Sequence, residues 1–101
     1  TPATILLLAS KAFDVSPKEV LTESRARPLI YVRAFYSKYM TSLGIYSLNQ
    51  IGDQLGRTHA SIINAVKNAN NLIETERYFY DKWELFMELV TKLTNPDTDV
   101  A

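Results

Sequence analysis

Ser47-Leu48-Asn49-Gln50-Ile51-Gly52-Asp53-Gln54-Leu55-Gly56-Arg57-Thr58-His59-Ala60-Ser61-Ile62 holds two helix starts and one helix stop. Ser47 followed three residues later by Gln50 is a capping box, in which each side chain satisfies a backbone N–H that the first helical turn leaves free. The helix it starts is expected over Leu48–Leu55, with Leu48, Ile51 and Leu55 facing inward. Gly56 is a helix-ending residue, and Gly56-Arg57 then forms a tight turn. Thr58 is an N-cap for a second helix, expected from His59 to about Ile73. Its buried stripe is Ile62, Ala65, Val66, Ala69 and Ile73, at helical spacing; Ala60, Ser61, Asn64, Lys67, Asn68 and Asn71 face away. Short helix, glycine turn and longer amphipathic helix make a helix-turn-helix layout, although many helical hairpins share it.

Proline and capping signals extend this pattern in both directions. Thr1-Pro2 predicts a helix to about Phe13 with Ile5, Leu8, Ala9 and Ala12 on one face. Ser16-Pro17-Lys18-Glu19 is a second capping box with proline at the first helical position, and its short helix ends near Leu21. Thr22 to Arg27 reads as a polar loop. Pro28 opens a long helix that stops at Gly44, with Leu29, Val32, Tyr36, Tyr39, Met40 and Leu43 as its apolar arc and Arg33 at the edge. A last helix is expected over 76–93, with Phe79, Tyr80, Trp83, Phe86, Met87, Val90 and Leu93 inward. Asn95-Pro96 ends it, leaving 94–101 as a frayed tail. No alternating β pattern of useful length occurs. The expected fold is therefore all-α, a small bundle of about six helices around a helix-turn-helix, forming one domain over 1–101. A chain that opens on Thr1 rather than Met suggests a piece of something longer.

Composition removes several function classes. There is no Cys and only one His, His59, so neither a thiolate nor a multi-histidine zinc site can be assembled. Three glycines are too few and too scattered for a phosphate-cradling loop. The longest apolar run, Ile5 to Ala9, is far too short to cross a membrane, and no basic start or cleavage site frames it as a secretory signal. The expectation is a cytoplasmic, non-catalytic segment without metal or cofactor. Net charge is zero, but its distribution is uneven. Residues 1–24 carry −1, residues 25–70 carry +5, and residues 71–101 carry −4. A basic middle is what a polyanion would meet.

The second helix of the pair suits such a partner. Its start offers free N–H groups and the positive end of the helix dipole to a phosphate. The small or polar first-turn residues Thr58, His59, Ala60 and Ser61 allow entry into a major groove. Asn64, one turn on, has the paired donor and acceptor that match adenine. Lys67 continues that face towards the backbone.

The stretch from about Ile5 to Leu72 resembles the C-terminal DNA-binding domain of the bacterial replication initiator DnaA. The resemblance rests on an ordered set of pieces: Phe13-Asp14-Val15-Ser16-Pro17-Lys18-Glu19-Val20-Leu21, Arg25-Ala26-Arg27, Arg33, Ser47-Leu48-Asn49-Gln50-Ile51-Gly52, Leu55-Gly56-Arg57-Thr58-His59-Ala60-Ser61-Ile62, and Asn64-Ala65-Val66-Lys67. The family's signature runs Gly-Gly-Arg-Asp-His-Thr-Thr-Val. Here one Gly of the pair is missing, Thr58 stands for Asp, Ala60 stands for the first Thr, and the loop before Arg25 is thinned by Glu23 and Ser24.

The resemblance implies double-stranded DNA as the partner, as in recognition of a replication origin, with an ATPase domain upstream in a full initiator. It implies that Arg25 enters the minor groove, that Arg27, Arg33 and Arg57 hold phosphates, and that the helix from His59 reads the major groove. The residues expected at DNA are Arg25, Arg27, Arg33, Asn49, Arg57, Thr58, His59, Ala60, Ser61, Asn64 and Lys67. The rival from another class is a helical protein-interaction module whose basic face meets an acidic partner.

Overall fold

The computed structural model describes residues 1–94. The part of the expected tail from Asn95 onward lies outside the described residues. Six helices follow in order: α1 Pro2–Ala12, α2 Pro17–Val20, α3 Arg27–Leu43, α4 Leu48–Leu55, α5 His59–Thr75 and α6 Arg77–Thr94. Among the described residues there is no strand. The two capping boxes form as the sequence predicts, Ser16 with Glu19 and Ser47 with Gln50. The α5–α6 break is a single residue, Glu76, with extended backbone.

α3 is the central element. It packs against α1, α2, α4 and α5, and α6 closes over α1 and α5. The run Val32 to Ser37 is buried on every side of the helix, so the expected single arc understates how far α3 is enclosed. Phe35 is fully buried although it lies outside that arc. It lies edge-on to Phe13 at 5.0 Å and to Trp83 at 5.2 Å, with Phe86 at 6.4 Å, making a three-helix aromatic hub. Leu6 joins the core unexpectedly, whereas Leu43, Tyr80 and Leu93, assigned inward from spacing, are exposed. Leu43 and Leu93 sit at or near their helix ends.

The helix pair α4–α5 hangs on this scaffold through polar as well as apolar contacts. Ile51, Leu55 and Ile62 are buried against it, and the Tyr36 hydroxyl on α3 donates to Gln54 Oε1 on α4. Burial, and secondarily Tyr46, push the Tyr36 phenol up to about 12. The turn is set by two glycines with different tasks. Gly56 takes the left-handed conformation at φ 67°, which L side chains disfavour. Gly52 lies where the chain doubles back: Arg57 N–H donates to its carbonyl at 2.8 Å, and a Cβ on Gly52 would collide with the Arg57 carbonyl oxygen.

Candidate nucleic-acid interface

The loop between α2 and α3 folds on its own hydroxyls. Thr22 Oγ1 donates to the Glu19 carbonyl at 2.6 Å and accepts from Ser24 N–H at 3.3 Å. Ser24 Oγ accepts from Ala26 N–H at 3.2 Å. Such hydroxyl-to-backbone turns fix a loop locally without any sheet or helix partner. The loop carries Arg25 and leads into Arg27 at the first position of α3, and both side chains are exposed.

Two further arginines clasp the loop from behind. Arg33 Nε donates to the Val20 carbonyl at 2.8 Å, Nη1 to the Ser24 carbonyl at 2.7 Å, and Nη2 to the Thr22 carbonyl at 2.9 Å. Arg57, in the turn before α5, donates from Nη2 to the same Thr22 carbonyl at 3.0 Å and from Nη1 to the Gly56 carbonyl at 3.3 Å. Arg33 is only 7% exposed. It therefore departs from the expected phosphate-holding surface arginine: its fork is occupied by main-chain oxygens. Burial, and next the positive Arg57, lower its pKa from the ordinary arginine value.

α5 begins with Thr58 as N-cap, as its sequence predicts. Thr58 Oγ1 accepts from Ser61 N–H at 3.2 Å and lies 3.1 Å from Ser61 Oγ. This leaves His59 and Ala60 exposed in the first turn. A cleft of about 630 Å³ runs between the loop, α3 and α5. Of the expected residues it brings together Arg25, Arg33, Arg57, Ser61 and Asn64 along one wall system. Arg27, Asn49, Thr58, His59, Ala60 and Lys67 do not line it; all six are exposed.

Sequence reasoning missed several residues here. Asn68, one turn beyond Asn64 on α5, also lines the cleft, and its place on the outward face was the available signal. Ser37 contributes a fully buried hydroxyl with no partner among the described residues. Thr22 acts through its carbonyl, which carries no sequence signature at all.

Charge is partitioned as the sequence predicts. Among the described residues the ion pairs are Arg77–Asp81 and Lys92–Glu88, both exposed and both on α6. No carboxylate lies within ion-pair distance of Arg25, Arg27, Arg33, Arg57 or Lys67 among the described residues. No helix among them is long and apolar enough to cross a membrane.

A cationic cleft beside a capped helix that follows a glycine turn defines a helix-turn-helix domain of the DNA-binding class. The family model for the bacterial DnaA protein helix-turn-helix matches residues 2–69, and the chain belongs to that family. The match runs from α1 into α5, while α6 lies beyond it.

Proposed function

We propose that the chain recognises duplex DNA sequence-specifically, in the manner of an origin-binding module, with α5 in the major groove and Arg25 in the adjacent minor groove. The observation that carries this reading is the cleft itself, which Arg25, Arg33 and Arg57 line against a single acidic residue, Glu23. Arg33 and Arg57 converge on one carbonyl oxygen, where the positive Arg57 adds to burial in disfavouring the charge of Arg33, with no carboxylate in ion-pair range among the described residues. A polyanion relieves that repulsion, and a narrow A/T minor groove concentrates the negative potential that draws an inserted arginine.

Roles follow from exposure. Arg25 reads groove width, Arg27, Arg57 and Lys67 meet phosphates, and Asn49 adds a backbone contact from the start of α4. Ser61 and Asn64 face base edges from α5, joined by His59 and the Ala60 methyl at its tip. Arg33 is left out of the phosphate set because its side chain is buried and all three of its nitrogens are tied to main-chain oxygens.

The test is a fluorescence-anisotropy titration of a labelled duplex over a range of salt. Four cations at the DNA give a log–log slope of about −3 to −4. A slope near zero overturns the electrostatic reading. Absence of duplex binding at low salt, with binding to an acidic polypeptide instead, favours the protein-interaction rival.

A further inference from the structure

The two elements that meet DNA in the reading above belong to different parts of the chain. The Arg25 loop follows α2, and the turn before α5 lies more than thirty residues later. What joins them is a single main-chain oxygen. The Thr22 carbonyl accepts from Arg33 at 2.9 Å and from Arg57 at 3.0 Å. Arg33 also holds the carbonyls on either side, of Val20 and Ser24, so three alternate carbonyls turn inward onto one planar guanidinium. Nε has a single N–H and it is spent; Nη1 and Nη2 each keep one, in a side chain 7% exposed.

We infer that Arg33 is a positioning residue: with Arg57 it locks the Arg25 loop to the turn before α5, so that minor-groove and major-groove elements engage the duplex in one register. This rests on the DNA-binding mode proposed above. The planar fork presents donors on three separate nitrogens, one to each carbonyl. A lysine keeps the charge but is a point donor on a flexible stem and cannot reproduce the arrangement. The loop's own hydroxyl turns are exposed and shape it only locally; the arginine clasp keeps those turns closed and sets the loop's place relative to α5. Arg33 therefore governs where Arg25 stands rather than what Arg25 touches.

Arg33→Lys in the otherwise intact chain tests this with two readouts. In the free protein, amide exchange at Ser24, Arg25 and Ala26 accelerates about tenfold or more, while exchange within α5 and α6 is unchanged. On DNA, the variant loses about fivefold or more in affinity for A/T-flanked duplexes and at most about twofold for G/C-flanked ones, with an unchanged salt slope. Adding Arg25→Ala to it lowers the A/T-flank preference no further than Arg25→Ala alone.

Equal losses on both duplexes, with the slope reduced by about 0.9, make Arg33 one more phosphate contact and overturn the inference. Unchanged loop exchange in a folded variant overturns the clasp itself, even with DNA binding intact. A wild-type chain that binds no duplex overturns the DNA reading and the register role together, and is recognised by that failure alone. Should Arg33→Lys fail to fold, replacing Glu23 by its α-hydroxy acid weakens the Thr22 carbonyl as an acceptor with every other side chain in place. The same loss of loop protection is expected, and its absence overturns the clasp.

Discussion

Around the 22–26 loop the contacts that bridge distant parts of the chain are hydrogen bonds from arginines to main-chain oxygens. Between α1, α3 and α6 they are ring contacts: Phe13, Phe35, Trp83, Phe86, Tyr31 and Phe79 meet at centroid distances of 4.5–6.4 Å. The two regions use the same central helix. Phe35 faces the rings while Arg33, two residues earlier, faces the loop. Apolar burial is nondirectional and supplies stability. Arginine forks are directional and fix geometry as well as contributing stability. The polar region is therefore tuned for placement and the aromatic region for persistence, and the two are separable by mutation.

The largest expected effect breaks the aromatic side. Phe35→Ala removes a fully buried ring from the hub and is expected to cost about 3–5 kcal/mol of stability, read by urea denaturation. At temperatures where the variant remains folded, its duplex affinity is expected to match the wild type, and a weaker duplex contact in the folded variant would show that the two regions are coupled.

Gly52→Ala strikes the junction instead. Its Cβ meets the Arg57 carbonyl oxygen, which is backbone and cannot swing aside. Overpacking of this kind costs about 1–3 kcal/mol, and here it also displaces Arg57 and the start of α5. Stability and DNA affinity are expected to fall together, and loss of stability alone would mean that the turn does not set the position of α5.

A smaller effect sharpens the polar side. Thr58 and Ala60 stand where the family's signature has Asp and Thr, at the exposed front of α5. Each base contact is worth about 1–3 kcal/mol of discrimination. Thr58→Asp with Ala60→Thr retains a capping oxygen and is expected to sharpen preference for an A/T-rich box by roughly tenfold in a binding-site selection. Equal selectivity before and after would assign base reading to His59, Asn64 and Arg25.

Much of this fold is legible in the sequence because its punctuation is local. Both capping boxes, the α4 boundaries and the start of α5 depend on residues three or four apart. The core was less legible. A single helical arc cannot anticipate that α3 is enclosed by helices on nearly all sides, which buries Phe35 outside that arc, and spacing does not tell that Tyr80 and Leu93 are exposed. At the site, side-chain chemistry marked Arg25, Arg57, Ser61 and Asn64, which the fold brings to one cleft. The resemblance implies that Arg33 holds a phosphate. In the structure its guanidinium donates to the carbonyls of Val20, Thr22 and Ser24, and a carbonyl looks the same in every residue.

The central claim, that one face of this domain reads two grooves with separable parts, is tested most directly by comparing Arg25→Ala and Arg57→Ala on duplexes that differ only in A/T or G/C flanks. Arg25→Ala is expected to lose about fivefold or more on the A/T-flanked duplex and at most about twofold on the other, because an inserted arginine reads groove width. Arg57→Ala is expected to lose affinity on both duplexes, because a phosphate contact carries no sequence information, and more on the A/T-flanked one, because Arg57 also clasps the Arg25 loop through the Thr22 carbonyl. Equal losses on both duplexes for Arg25→Ala would contradict the account.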